Sequence, residues 1–388
     1  MSDLPEEVSA DILSRLPVKS LLRFRCVSRN WCSLIDRPDF VKLHLNRSIK
    51  AKANLCVILR DSHLYSVDFD SLHGAVHAAQ MDHHPLWCQD YGTEVWGSCN
   101  GLLCISNALD TLCIWNPSTR KSRKLPYASI EIPNLSRYCE NRIYGFGYDC
   151  ASDDYKVVRI VVLKGLENDS FDYEVKVYSL KSNSWHRVEK FPTYPNIKRT
   201  AGVLASSALH WVVSSEPELD RVGLIVAFDL KHEKFQLVPP PDFSDMNFFM
   251  NVQNLNGFLA VVCNYCLARV DIWVMKLYGL KESWTKLISV TQPGVIGSFQ
   301  YVSPIAYSKS GEEILLEKDA KKLLWYDLKE RKVKSVRIHG IEELLQVEMC
   351  MGSLVPINSP IEGVEKKLIE EEEKNVGNFL SKGFKLVL

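Results

Sequence analysis

The sequence lacks an excess of either charge, because its 47 lysines and arginines balance 47 aspartates and glutamates over 388 residues. A chain without net charge has no general attraction to nucleic acid or to an anionic membrane. It also lacks an uninterrupted apolar run near the ~18 residues that indicate a membrane-spanning helix. The first residues, MSDLPEEV, lack the basic stretch and apolar core of a secretory signal. We therefore predict no nucleic-acid partner, no membrane span and no signal peptide.

Motifs that carry catalysis or hold metals are also missing. No G-x-S-x-G, P-loop or H-E-x-x-H sequence occurs. Cys263 and Cys266 form a CxxC without the second pair of a zinc site, and it lies at a predicted strand end rather than at a helix start. His83, His84 and Cys88 share a polar loop with no carboxylate arranged around them. We predict no catalytic residue, no metal site and no cofactor, and we interpret the cysteines as small buried side chains rather than disulfides.

The first fifty residues differ in composition from the rest and predict three short helices. Pro5 and two glutamates favour a helix start, Pro17 ends that helix, and a second runs from Lys19 to Val27. Ser28 can cap a third helix, which we predict to end at Arg37-Pro38-Asp39. So small a bundle cannot bury all of its leucines. The remaining apolar surface predicts a partner, or else packing on the rest of the chain. We place this unit at residues 1–47 and a second one at residues 48–388.

The order of apolar residues in the first unit closely resembles a plant F-box over about residues 2–45. The match includes the run Ile12-Leu13-Ser14-Arg15-Leu16-Pro17-Val18-Lys19-Ser20-Leu21-Leu22 and the later Cys26-Val27-Ser28-Arg29-Asn30-Trp31. The resemblance implies docking on a Skp1-type adaptor and, through it, on a cullin and a RING protein. The residues that it assigns to the adaptor surface are Leu4, Pro5, Ile12, Leu13, Leu16, Pro17, Leu21 and Leu22. Those that it assigns to the helical core and its edge are Val27, Trp31, Leu34 and Ile35.

From residue 54 onward the chain is rich in β-branched and aromatic residues and repeats itself about every 50 residues. Each repeat has a hairpin of small and aliphatic residues, with predicted turns near Asn100, Asp153, Ser207, Asn256 and Ser310. An aromatic strand, a polar turn and a charged strand follow. Repeats of this length with four strands are typical of kelch-like propeller blades. An open stack of sheets and a pair of β-sandwiches are the alternatives.

Five repeats are complete, so strands from the two chain ends are needed to close a ring. The candidates are Leu55–Leu59 and Leu64–Phe69 at the start, and Met351–Ile357 and Phe384–Leu388 at the end. We predict Phe384–Leu388 as the closing strand and a charged insertion at about residues 362–376 before it. The predicted fold is a small all-α F-box of three helices, followed by an all-β, kelch-like β-propeller that is six-bladed or distorted.

Two sequence motifs, called words below, resemble the plant F-box-associated domain over about residues 95–340. The first is Trp115-Asn116-Pro117-Ser118-Thr119-Arg120. The second is Gly147-Tyr148-Asp149, followed by Asp153-Asp154-Tyr155-Lys156-Val157-Val158-Arg159. Residues 173–185 and 379–388 resemble one plant branch that restrains defence by marking nucleotide-binding leucine-rich-repeat (NLR) immune receptors for degradation. The residues that we predict to pack in or between the blades are Trp115, Asn116, Pro117, Trp185, Trp211, Trp284 and Trp325.

These resemblances imply the non-catalytic substrate receptor of a Skp1–cullin–F-box (SCF) ubiquitin ligase in the cytoplasm and nucleus. A protein that sequesters the adaptor without a ligase role, and a propeller that binds a small ligand or acts as an enzyme, are the alternatives. The residues that bind the substrate are not indicated by the sequence.

Overall fold

The computed structural model describes residues 5–82, 84–88, 92–108, 110–132, 138–165, 171–188, 196–197, 201–214, 223–341 and 344–357. The residues outside these ranges include Leu4, His83 and residues 358–388. The predicted charged insertion and the predicted strand Phe384–Leu388 both belong to residues 358–388, so they lie outside the described residues.

The N-terminal unit has four helices instead of the predicted three, namely α1 Glu6–Leu13, α2 Val18–Phe24, α3 Arg29–Asp36 and α4 Pro38–Ala51. The prediction treated Arg37-Pro38-Asp39 as a helix end. It is also a helix start, because Pro38 occupies the first turn of α4, where a proline ring is accommodated. Lys52 ends α4 in the left-handed conformation. Helix α4 therefore runs across residue 47, where we predicted the domain boundary.

Every other long element in the described ranges is a β-strand. The strands in chain order are β1 Leu55–Arg60, β2 Leu64–Asp68, β3 Ala75–His77, β4 Ala79–Gln80, β5 Thr93–Cys99, β6 Leu102–Asn107, β7 Leu112–Asn116, β8 Lys121–Lys124, β9 Tyr138–Asp149, β10 Asp154–Gly165, β11 Phe171–Ser179, β12 Ser184–Arg187, β13 Asn196–Ile197, β14 Ala201–Ala205, β15 Ala208–Ser214, β16 Leu224–Asp229, β17 Lys234–Val238, β18 Phe249–Leu255, β19 Phe258–Tyr265, β20 Arg269–Met275, β21 Trp284–Thr291, β22 Val302–Tyr307, β23 Glu313–Lys318, β24 Lys322–Asp327, β25 Val333–Ser335, β26 Arg337–His339 and β27 Gln346–Met351.

The strands form a β-propeller in which four sheets are separate four-stranded blades. Their strand orders are β27-β1-β2-β4, β5-β6-β7-β8, β18-β19-β20-β21 and β22-β23-β24-β25. The meanders β9–β12 and β14–β17 belong to one nine-stranded sheet, in which β13 pairs with β15, and β26 pairs with β3 in a small parallel sheet. Because the described residues contain only four separate blades, the count of six is not established.

Two glycines allow the two meanders to join in one nine-stranded sheet. Strands β9 and β14 run parallel and pair at Gly202 with Gly145 and at Ala201 with Tyr144. A Cβ atom added at Gly202 would lie 2.5 Å from the Trp211 ring, and one added at Gly145 would lie 2.9 Å from it. Any larger residue would clash with this indole, so the absence of side chains lets the two strands meet.

Strands from the two ends of the propeller pair with each other, as the sequence predicted, and within the described residues the strand that does so is β27. Strand β1 pairs with β27 in antiparallel register from Leu55 opposite Met351 to Arg60 opposite Gln346. Strand β27 ends at Met351, so the candidate strand Met351–Ile357 is wrong. The pairing occupies the edge of β1 that β2 leaves open.

The predicted hairpin turns lie where the repeat places them. Asn100, Asp153, Ser207 and Asn256 all have positive φ, the conformation that tight hairpin turns require. At the fifth turn the residue with positive φ is Gly311, directly after Ser310.

The tryptophans fill the spaces between blades. Trp115, Trp211, Trp284 and Trp325 are buried, whereas Trp185 is half-buried against Tyr178. Three of the indole N–H groups cross to a carbonyl oxygen of a neighbouring sheet or its connection. Trp185 donates to Pro126 at 2.8 Å, Trp284 to Pro239 at 2.9 Å and Trp325 to Leu72 at 3.2 Å.

Candidate adaptor and substrate surfaces

The helical unit packs on the end of the ring that carries the Asn100 and Asp153 turns. Lys42 of α4 lies 2.8 Å from the Asp153 carboxylate, and the Gly352 N–H donates to the Asn54 carbonyl at 2.7 Å. Leu21 and Phe40 belong to the same apolar core cluster as Leu102 of β6. The helices therefore do pack on the rest of the chain, which was one of the two predicted explanations for their leucines.

The same helices nevertheless keep an apolar surface. Of the residues that the resemblance assigns to the adaptor, Pro5, Ile12 and Pro17 are exposed, and Leu16 and Leu22 are half-buried. Leu13 and Leu21 are only 2% and 0% exposed, so in this structure they hold the helices together instead of facing outward. Val8, which the sequence interpretation left out of the adaptor surface, is 43% exposed one helical turn before Ile12. The four-residue spacing of Val8 and Ile12 was the signal that could have found it.

The four residues predicted for the helical core and its edge differ in burial. Leu34 and Ile35 are buried, and the Trp31 ring packs against Phe24 with centroids 5.4 Å apart. Val27 lies outside the core, because this side chain is 68% exposed. It follows the end of α2, where its N–H still donates to the Phe24 carbonyl, and the turn directs the side chain outward.

Polar contacts hold α4 against α1 beneath the apolar surface. Arg47 donates to the Asp11 carboxylate at 2.6 Å, and the His44 imidazole lies 2.9 Å from the Leu16 carbonyl. Hydrogen bonds from Arg15 and Arg47 lower the pKa of Asp11, and burial lowers the pKa of His44. These contacts fix the angle at which Leu16 and Pro17 follow α1.

The Trp115–Arg120 word is a structural anchor and not a reactive site. Asn116 is fully buried, and its amide nitrogen donates to the carbonyls of Ser353 at 3.2 Å and Val355 at 2.9 Å. Its side-chain oxygen accepts the backbone N–H groups of Ser118 and Thr119. Half-buried Pro117 fixes the turn between them. The motif thus binds the segment that follows the closing strand.

The face of the ring opposite the helices carries exposed apolar side chains. They lie at the other ends of the strands, in turns, in connections and at the first residue of β18, and they are Trp87, Tyr127, Met246, Phe249, Leu267, Val295 and Leu345. Single exposed apolar residues are ordinary on a protein surface, and these seven have in common that they lie at one end of the ring.

Leu267 is the most unusual of these residues. It is 69% exposed and has a φ of 52° in the turn between β19 and β20. Left-handed residues in tight turns are ordinarily Gly, Asn or Asp, since a large side chain is strained there. Beside it the Arg269 guanidinium stacks 3.7 Å from the Tyr265 ring centroid and contacts Asp245 at 3.4 Å. A rigid turn therefore presents an apolar side chain to solvent.

The innermost strands surround a cavity of about 400 Å³ on the helix side. Its lining includes Trp96, Phe146, Asn254, Tyr307 and Met349. A second space of about 340 Å³ opens on the far side and is lined by Arg60, Glu94 and Gln253 among others. The amide of Gln253 donates to Ser303 at 2.6 Å and so ties two inner strands together.

The structure assigns structural positions to the sequence's candidate ligands. Cys263 is buried in β19 and Cys266 is exposed in the following turn, and both thiols are free. His84 is buried beside Trp115, and this burial lowers the pKa of the His84 imidazole to about 4. Within the described residues, no three His, Cys, Asp or Glu side chains lie close enough to hold a metal ion. No helix in that same part of the chain is long and apolar enough to cross a membrane.

Comparison with known protein families accounts for both units. Residues 1–43 match the F-box domain, and residues 55–354 match the F-box associated beta propeller domain. The chain belongs to the F-box proteins with an associated β-propeller. Neither matched domain is a catalytic one.

Similar F-box proteins occur in Arabidopsis thaliana. F-box protein CPR1 is 39% identical over the whole of both chains, and F-box protein At4g22390 is 32% identical over the same extent. F-box/kelch-repeat protein At3g23880 is 33% identical and covers 81% of this chain and 85% of its own. The whole architecture of this F-box protein, and not one domain alone, is therefore shared with its relatives.

Proposed function

We propose that this F-box protein is the substrate-recognition subunit of an SCF ubiquitin ligase. The observation that carries the proposal is an F-box that keeps Pro5, Ile12 and Pro17 exposed although it packs on the propeller. These residues would dock on a Skp1-type adaptor, which connects to a cullin and a RING protein. The protein would accelerate ubiquitin transfer without bond chemistry of its own, because tethering raises the effective concentration of the target.

The target would bind on the propeller face opposite the F-box. The exposed apolar residues of that face, with the rigid Leu267 turn among them, support this location. The helices occupy the other face through Lys42 and Asp153, so a target there would compete with the chain's own F-box.

The adaptor interaction is tested by placing a charge on the exposed helix surface. We expect Ile12→Asp to abolish co-purification of the adaptor, since a buried unpaired carboxylate is strongly unfavourable at an interface. Val27→Asp is the matched control, because Val27 is more exposed than Ile12 but lies outside the predicted adaptor set. Equal adaptor binding by both variants would remove the basis for the docking surface.

The substrate face is tested by proximity labelling with and without a proteasome inhibitor. Proteins that are enriched only under inhibition are the candidate substrates. We expect Leu267→Asp to lose them and Leu277→Asp to keep them, because Leu277 is 62% exposed in the β20–β21 connection, at the helix end of the strands. Loss in the second variant only would place the target on the F-box side.

Ubiquitylation of a recovered substrate in a reconstituted SCF assay separates a ligase receptor from a protein that merely sequesters the adaptor. The substrate class is proposed from sequence resemblance: residues 173–185 resemble those of plant receptors that mark NLR immune receptors and thereby restrain defence. Binding of such an immune receptor by this F-box protein would take place in the cytoplasm and the nucleus. An NLR protein whose abundance is unchanged by the wild type and by Ile12→Asp alike would contradict this assignment.

We also propose that the nine-stranded sheet counts as two blades, which would make the propeller six-bladed. The support is that β9–β12 and β14–β17 are each a four-stranded antiparallel meander, joined by a parallel pair of only two residues. An experimental structure with fewer than six radially arranged sheets would contradict it.

A further inference from the structure

We propose that Cys56 and Cys350 form an oxidation site, at which a peroxide converts two thiols into a disulfide that covalently locks the ring closure. The site lies where the first strand of the propeller meets the closing strand, and it does not depend on the proposed ligase function.

The register of β1 and β27 places the two cysteines directly opposite each other. Directly opposed residues in an antiparallel pair have Cα atoms about 4.5–5.5 Å apart, within the range that a disulfide spans. Both cysteines pack in the same apolar cluster with Ile58 and Val95, so their side chains share one face of the strand pair. The register that the reduced protein already has therefore suits a link between them.

The surroundings give the two thiols different reactivity. Cys350 is 4% exposed, whereas Cys56 is only half-buried. A hydrogen bond from Cys350 lowers the pKa of Cys56, which is also lowered by Ser66. The same interaction with Cys56, together with burial, raises the pKa of Cys350. Cys56 is therefore the thiol that reacts first, and Cys350 is the resolving thiol held beside it.

The chemistry balances with peroxide as the oxidant. The Cys56 thiolate attacks one peroxide oxygen, the O–O bond breaks, and the products are a sulfenic acid and hydroxide, which takes up a proton to become water. The Cys350 sulfur then attacks the Cys56 sulfur, the S–O bond breaks, and a second water leaves with the Cys350 proton. Two thiols are oxidised to one disulfide while one peroxide is reduced to two waters.

The disulfide would act on the closure of the propeller ring. In the reduced protein, β1 and β27 are joined by non-covalent contacts, among them the backbone pairing and the packing of their side chains. The disulfide would link residue 56 to residue 350 and so close most of the propeller into one covalent loop. A link across so long a loop restricts the unfolded chain strongly, so the oxidised ring should resist unfolding.

The test treats the reduced full-length protein with hydrogen peroxide, alkylates the remaining thiols and digests it for mass spectrometry. We expect a linked peptide pair that joins Cys56 to Cys350, and a melting temperature that rises by several degrees and returns on reduction. Cys56→Ser and Cys350→Ser should each lack the linked peptides and the thermal shift. Cys266→Ser is the control, because Cys266 is exposed in a turn remote from the closing pair and its loss should change neither result.

Overoxidation of Cys56 to a sulfinic acid without linked peptides would overturn the proposal. Linkage of Cys56 to any cysteine other than Cys350 would do the same. The peptide assay on the wild-type protein decides the question even if Cys350→Ser, which alters a buried position, fails to fold.

Discussion

At the scale of single residues, the buried Asn116 side chain has all of its hydrogen-bonding capacity filled by backbone groups. Its amide oxygen accepts backbone N–H groups of the following turn. Its amide nitrogen donates to two backbone carbonyls more than 230 residues away in sequence. Ser118 of the same word contributes to this contact, because its Oγ accepts the Ser353 N–H at 3.3 Å. The word Trp-Asn-Pro-Ser-Thr-Arg is thus explained by the need to hold the segment after the closing strand.

His210 shows the same matching and makes stability depend on pH. Its Nδ1 lies 3.2 Å from the Val203 carbonyl and its Nε2 lies 2.7 Å from the Tyr278 hydroxyl. The carbonyl can only accept, so the neutral ring donates from Nδ1 and accepts at Nε2. Burial lowers the pKa of His210 to about 4.

We expect the free energy of unfolding to fall as the pH is lowered from about 6.5 to about 4. In that window the unfolded chain binds a proton at His210 and the folded chain does not, so protonation favours unfolding by up to about 1.4 kcal/mol per pH unit. His84 and His44 have lowered pKa values too and act in the same direction. Urea unfolding at several pH values measures the slope.

His210→Asn should reduce that slope, because its amide can still donate to Val203 but does not titrate. His339→Asn, at an exposed position, is the control and should leave the slope unchanged. If the two variants give the same slope as the wild type, His210 is not protonated differently in the folded and unfolded states.

At the scale of elements, the junction between β9 and β14 depends on the absence of side chains. We expect Gly202→Ala to destabilise the protein by about 1–3 kcal/mol, since its Cβ would lie 2.5 Å from the buried Trp211 ring. Gly74→Ala is the matched control, because the nearest atom to its Cβ is 3.7 Å away and its φ is negative. Thermal unfolding of both variants measures the difference, and equal melting temperatures would show that Trp211 can move aside.

Local signals in the sequence predicted most elements, and they failed where distant residues decide. The N-G turns at Asn100 and Asn256, the repeat length and the aromatic strands are local features, and the structure confirms them. Pro38 was misinterpreted because proline both ends and begins helices. The β9–β14 pair could not be predicted, because nothing near Gly145 reveals that Gly202 and Trp211 will pack there.

The same reasoning applies to the candidate surfaces. The periodicity of α1 and α2 identified the apolar residues of the F-box but could not tell which would be covered by the propeller. Leu21 is covered and Ile12 is not, because Leu21 joins the apolar core cluster that includes Leu102. Leu267 gave no signal at all, since its exposure and its positive φ arise only in the folded turn.

At the scale of the whole molecule, the two chain ends depend on each other. Strand β27 pairs with β1 along six residue pairs, and the Ser353 and Val355 carbonyls accept from Asn116. Leu354, Val355 and Ile357 are buried in the cluster that also contains residues of the F-box helices. Residues 346–357 therefore contain the closing strand, accept the Asn116 hydrogen bonds and share an apolar core cluster with the helical unit.

Two truncations of the full-length protein test how the ring is closed. Ending the chain after Leu345 removes β27 and the partners of Asn116, so β1 gains an open edge and we expect the cooperative thermal transition to be lost. Ending it after Ile357 keeps every one of these contacts, and we expect a melting temperature within about 2 °C of the full-length value. A transition that survives removal of β27 would contradict closure by the chain ends. If the truncation after Ile357 is as damaging as the one after Leu345, then a later segment, such as the predicted strand Phe384–Leu388, is needed to complete the ring, and β27 alone is not sufficient to close it.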